Sequence, residues 1–165
     1  MSSLSLTTHR KMYWTTFWAG VMKGAQMDGS DASQIVGGLN GPAGIVIDYG
    51  TNRMYWTEYS GNRIRSSNLD GTEVRTIVTL PSGTDPWGIA IHNNQIYWGN
   101  YEAKSLQRSS KSGHGVQTVF IGSSKIQQLV WTGRNFSKSR QNHCEGQNCT
   151  NICALTATAF RCVPS

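Results

Sequence analysis

Apolar and polar positions alternate along this chain in short bursts separated by turn residues. Gly44-Ile45-Val46-Ile47-Asp48 is a brief apolar run, and Arg53 to Glu58 carries an aromatic pair. Asn62 to Leu69 alternates up to Asp70-Gly71, and Glu73 to Leu80 alternates again around Ile77 and Leu80. Runs of this length with turn chemistry at each junction predict four antiparallel strands joined by hairpins. Gly88-Ile89-Ala90-Ile91 restarts the series. Gln128-Leu129-Val130-Trp131 begins a further strand with no unit behind it, and Ser3-Leu4-Ser5-Leu6 sits where the first unit needs its first strand.

The series is a repeat. Met12-Tyr13-Trp14-Thr15 returns as Met54-Tyr55-Trp56-Thr57 and as Ile96-Tyr97-Trp98-Gly99, with the tyrosines 42 residues apart both times. Other columns keep that register: Asp28-Gly29, Asp70-Gly71 and Ser112-Gly113; Ile35, Ile77 and Val119; Met22, Ile64 and Leu106; Phe17, Tyr59 and Tyr101. Four strands in roughly 40–45 residues is the content of one β-propeller blade. The expected fold is all-β, with three four-stranded blades over residues 1–131, a linker at 132–143 and a small cysteine-bearing tail at 144–165.

Composition agrees with short strands and tight turns: 18 Gly, abundant Ser, Thr and Asn, and six Trp and six Tyr for a core. The net charge of +6 comes from scattered basic residues, near-clustered only at Arg134, Lys138 and Arg140, and nucleic-acid motifs are missing. All four cysteines, at 144, 149, 153 and 162, lie in the tail. Their even number favours two disulfides and an oxidising compartment over a zinc site, which would want a CxxC pair. No apolar stretch is long enough to span a bilayer. Met1 to Arg10 has no apolar core of signal-peptide length, so an extracellular chain would have lost its signal. The sequons at Asn135 and Asn148 are compatible with secretion.

The tyrosine–tryptophan–threonine columns resemble the YWTD repeats of the low-density lipoprotein receptor family over residues 3 to 131. That family closes six repeats into one propeller and commonly follows it with an EGF-like module, which the tail resembles in truncated form. The resemblance implies pairs Cys144–Cys153 and Cys149–Cys162. The family's fourth motif residue, an aspartate, is replaced by Thr16, Glu58 and Asn100, so any polar cross-blade tie that the aspartate makes in the family is not expected to carry over. Three blades cannot close a ring and would leave two flanks open. A homodimer completing a six-bladed disc is therefore expected, the alternative being a fragment of a longer receptor.

The tyrosine and tryptophan pairs at 13–14, 55–56 and 97–98 are expected between blades. Phe17, Tyr59 and Tyr101 end the aromatic strands, and Trp18 and Trp87 occupy similar loop positions, where rigid scaffolds carry recognition. The resemblance implies that this face binds short peptide segments of protein partners. Phe17, Trp18, Glu58, Tyr59, Arg63, Trp87, Asn100, Tyr101 and Glu102 are the candidate ligand-binding residues. A lectin is the alternative, since rings beside Asn, Glu and Arg also suit sugars. An enzyme ranks last. His9, His92, His114 and His143 lack partners at motif spacing, and Asp28-Gly29-Ser30-Asp31 lacks the Glu that completes a calcium loop. No cofactor or metal is expected.

Overall fold

A computed structural model describes residues 11–131, 152–156 and 160–163 of the chain. Every regular element among them is a strand, and no helix among the described residues is long and apolar enough to cross a membrane. Strands β1 (Lys11–Thr16), β2 (Val21–Gln26) and β3 (Ser33–Val36) form the first sheet as an antiparallel meander. The second holds β4 (Pro42–Asp48), β5 (Arg53–Glu58), β6 (Arg63–Asn68) and β7 (Arg75–Thr79), and the third holds β8 (Pro86–His92), β9 (Gln95–Asn100), β10 (Ser105–Ser110) and β11 (Gln117–Ile121), each in sequential order. These are the three expected blades. The candidate first strand at Ser3–Leu6 lies outside the described residues.

The strand read at 128–131 is not alone. β12 (Ile126–Trp131) pairs with β13 (Ile152–Thr156), and β13 pairs with β14 (Phe160–Val163), so tail residues build a fourth sheet. Cys153 and Cys162 face each other in its backbone register. Each expected disulfide includes Cys144 or Cys149, which lie outside the described residues, as does the linker.

The inner strands β4, β8 and β12 pack side by side. Their backbones approach so closely that a side chain would not fit: a Cβ on Gly44 would lie 2.5 Å from the Trp87 carbonyl oxygen, and one on Gly88 2.9 Å from that of Gln127.

β5 and β9 lose the usual alternation because each lies inside a blade clamped on both faces. Trp56, Trp98, Tyr55 and Tyr97 are buried as expected, and Met22, Ile64 and Leu106 are fully enclosed. Tyr13 and Trp14, on the first blade, stay half-exposed.

The cross-blade tie comes from the motif threonine. Thr15 Oγ1 donates to the Ala43 carbonyl at 2.7 Å, and Thr57 Oγ1 donates to that of Trp87 at 2.6 Å while accepting from the Gly44 amide at 2.9 Å. In the third blade Gly99 replaces threonine, since a Cβ there would lie 2.4 Å from Ile126 Cγ2. An apolar plug takes the place of the hydroxyl tie.

Candidate functional site

Three blades send rings from their loops to one place. Phe17 follows β1, Tyr59 follows β5, Tyr101 follows β9, and Trp87 lies in β8. Trp87 is central, 5.8 Å from Phe17, 5.4 Å from Tyr59 and 5.5 Å from Tyr101 between ring centroids. Tyr59 also touches Phe17 at 5.8 Å and Tyr101 at 6.3 Å. Trp18 stands edge-on to Phe17 at 5.0 Å and is 94% exposed. The four inner rings are half-exposed, so the cluster is an open floor, not a sealed core.

Backbone bonds fix this floor. The Tyr59 amide donates to the Gly41 carbonyl at 2.8 Å, and the Tyr101 amide to that of Asp85 at 2.9 Å. Asn62 Oδ1 accepts from the amides of Thr84 and Asp85, both at 3.0 Å, pinning the loop that delivers Trp87. A cleft of about 350 Å³ opens beside Phe17 and Trp87, lined by inner-strand backbone at Ala43 and Gly44 and by Gln127 and Gln128.

One charged pair edges the floor. Lys125 Nζ donates to Glu102 at 2.6 Å and lies 4.3 Å from the Tyr101 ring centroid, a cation–π contact. The Glu102 bond holds the Lys125 ammonium above its ordinary pKa. The Tyr59 hydroxyl is raised as well, first by desolvation and then by the Asp85 and Glu102 carboxylates.

The other polar candidates are elsewhere. Glu58 is wholly buried, its carboxylate accepting from the Asn40 amide (3.1 Å), Trp56 Nε1 (3.2 Å), Arg63 Nε (2.8 Å) and Arg65 Nη1 (3.2 Å). Arg63 closes the pair with a second nitrogen at 2.6 Å. Burial pushes the Glu58 carboxyl up, but these bonds outweigh it and hold the group below its ordinary range. Asn100, also fully buried, donates to Ser105 Oγ at 2.9 Å and Gln107 Oε1 at 3.0 Å, while its own carbonyl oxygen has no hydrogen-bond partner among the described residues. Glu58, Arg63 and Asn100 thus bond inside their blades. Phe17, Trp18, Tyr59, Trp87, Tyr101 and Glu102 gather at the floor.

Lys125 and Asp85 were not foreseen, because both sit in connections outside the repeat columns. His114 bonds Ser112 within its turn, and Asp28 caps its own loop through Ser30. No group of three or more His, Cys, Asp or Glu among the described residues could hold a metal.

Residues 52–93, one blade-length of the chain, match the low-density lipoprotein receptor repeat class B family. No curated protein matches the sequence. Among solved structures, a chain of a nidogen/laminin complex superposes with a TM-score of 0.74 at 19% identity, over 91% of this chain and 54% of that one. A virginiamycin B lyase from Staphylococcus aureus follows the same path with a TM-score of 0.63 at 14% identity, over 92% of this chain and 50% of that one. A gluconolactonase from Xanthomonas campestris gives 0.64 at 12% identity, over 87% and 44%. Identities this low establish a shared fold. The chain spans about half the length of each. The blade at residues 52–93 is similar to the class B (YWTD) repeat of the low-density lipoprotein receptor, and the whole arc shares the fold of these propellers.

Proposed function

We propose that this arc of YWTD-type blades is an extracellular recognition module that grips a peptide segment of a protein partner on its ring-lined floor. One observation carries the reading: Phe17, Trp18, Tyr59, Trp87 and Tyr101, drawn from separate loops and strands, meet in one partly exposed cluster. Aromatic rings held by short backbone bonds are rigid anchors, and rigid anchors lower the ordering cost of binding. Glu102 and Lys125 at the edge supply charges of both signs for the polar ends of such a segment. The nidogen/laminin complex supports the assignment, since a propeller of this fold occurs there in a protein–protein assembly. Extracellular placement rests on the same likeness and on the class B repeat.

The lectin alternative is weakened. It needed Glu58, Arg63 and Asn100 beside the rings as hydroxyl partners, and they are engaged within the blades. The lyase and lactonase neighbours share a fold, and His92 and His114 lie away from the floor, in strand-end and turn positions.

The test is panning a random-peptide phage library on the native chain and on Trp87→Ala and Tyr101→Ala. Both variants should lose the enriched peptides and stay folded, because their rings are half-exposed. Trp56→Ala, at a wholly buried ring, should unfold the blade at a cost of ~3–5 kcal/mol. Equal enrichment on native and Trp87→Ala protein would refute the site.

A further inference from the structure

Each aromatic strand ends in a ring, and the chain enters an inner strand beside that ring. Gly41 directly precedes β4, Asp85 precedes β8 and Lys125 precedes β12. The connections that deliver them differ in length, which hides the equivalence from sequence spacing. The joints themselves match. The Tyr59 amide donates to the Gly41 carbonyl at 2.8 Å and the Tyr101 amide to that of Asp85 at 2.9 Å. Pro42 faces Glu58 in the ladder as Pro86 faces Asn100. Gly41 and Asp85 also share a left-handed backbone, with φ of 63° and 54°.

This one joint is filled with two chemistries. Between the first two blades it is neutral: a Cβ on Gly41 would lie 2.7 Å from Ser60 Oγ and 3.3 Å from Phe17 Cε2. Between the second and third, aspartate stands in place of that glycine, and Tyr59 and Glu102 stand in place of Phe17 and Ser60. The Asp85 carboxylate reaches the Tyr59 hydroxyl, which hydrogen-bonds to it. Glycine takes a left-handed φ freely, whereas a side chain there carries strain, and the first joint closes without one. A strained residue kept at a ring-lined surface points to use, not to architecture.

Asp85 also lacks a counter-charge. Glu102 holds Lys125 Nζ at 2.6 Å, and Lys125 lies over the Tyr101 ring. Among the described residues no lysine or arginine pairs with Asp85. Trp87, two residues on, is half-exposed and 5.4 Å from Tyr59, so a cation at Asp85 would also meet aromatic rings.

We infer that the segment gripped on this floor presents a basic side chain, arginine above all, to Asp85 beside Tyr59 and Trp87. The inference rests on the peptide-binding reading of the floor and adds the class of side chain selected there. A guanidinium suits the place, because it stacks on rings and bonds a carboxylate through two nitrogens. The chain's net charge of +6 repels cations at large, so a preference for one must be set locally. Lys125, whose charge is felt at Tyr59, weakens the hold on that cation.

Three hexapeptide libraries, capped at both ends, test it on the immobilised native chain. All positions but one carry uncharged residues, and that one is fixed as arginine, as citrulline (its uncharged isostere) or as glutamate. The native chain should retain the arginine library about fivefold over the citrulline library, the strength of a partly exposed ion pair with a cation–π contact. Asp85→Asn should bring that ratio close to one, and Lys125→Met should raise it. Asparagine tolerates a left-handed backbone, and Lys125 keeps 39% of its side chain in solvent, so both variants should fold by circular dichroism. Equal retention of arginine and citrulline, with both lost on Trp87→Ala, would overturn the cation subsite and leave the peptide grip standing. Retention no better on the native chain than on Trp87→Ala would overturn the grip itself, and this inference with it. A ratio unchanged in Asp85→Asn would overturn the inference too, as would a preference for glutamate, which would assign the selection to Lys125.

Discussion

Replacing Glu58 by glutamine keeps shape and volume and removes one charge from a fully buried carboxylate. That carboxylate accepts from a backbone amide, an indole and two guanidinium groups. An amide in its place offers one acceptor oxygen and turns an NH₂ towards donors, so at least one guanidinium and one neutral donor lose their partner. A charge-assisted bond contributes ~1.5–3 kcal/mol and an orphaned buried donor costs ~1–3 kcal/mol. Breaking a buried pair by removing one member costs ~3–5 kcal/mol. Arg63 and Arg65 keep 33% and 20% of their side chains in solvent, which lets water compensate in part. The expected loss is therefore about 3 kcal/mol at pH 7, read from urea unfolding. It also depends on pH in a fixed direction. The folded carboxyl lies below its ordinary 4.5, so its stabilisation is complete above that value and fades as pH falls through the folded pKa. The gap between native and Glu58→Gln proteins should narrow steadily below about pH 4.5. A gap under about 0.5 kcal/mol at pH 7, or one that widens on acidification, would refute a charge-stabilised hub.

Two further outcomes follow from the motif columns. Gly99→Thr restores the threonine of the other blades yet should destabilise by about 1–3 kcal/mol, because the new Cβ meets Ile126; urea unfolding with no loss would show that β12 yields freely. Thr57→Val leaves the Trp87 carbonyl and the Gly44 amide without their hydroxyl partner, and should cost about 1–3 kcal/mol while loosening the Trp87 backbone. Hydrogen exchange at Gly44 gives the check, and unchanged protection there would count against the tie.

The repeat was legible because it is enforced by burial. A blade clamped on both faces needs the same large ring and the same aliphatic group at the same place each time, so Trp56 with Trp98, and Met22 with Ile64 and Leu106, stand out in register. The ring floor was legible for a related reason, since Phe17, Tyr59 and Tyr101 follow the column into the loops. Polar candidates were harder. A glutamate at a strand end looks the same whether it awaits a ligand or a guanidinium. The clue lay on the adjacent strand, where Glu58 faces Arg63 in the ladder and Arg65 follows two residues later on the same face. Lys125 and Asp85 carried no signal, because their positions belong to connections that do not repeat. The partners of β12 were hidden by the cysteines, which drew residues 152–163 into a separate tail.

The threonine that reaches across to the next inner strand has a consequence for how such a chain changes over time. It reads a carbonyl group, which every residue supplies, so it places no demand on the side chain at Ala43 or Trp87. Glycines at the hub likewise pack main chain against main chain. The mechanical continuity of the arc is thereby decoupled from the residues on its face, and the floor is free to be rewritten for new partners without rebuilding the frame beneath it.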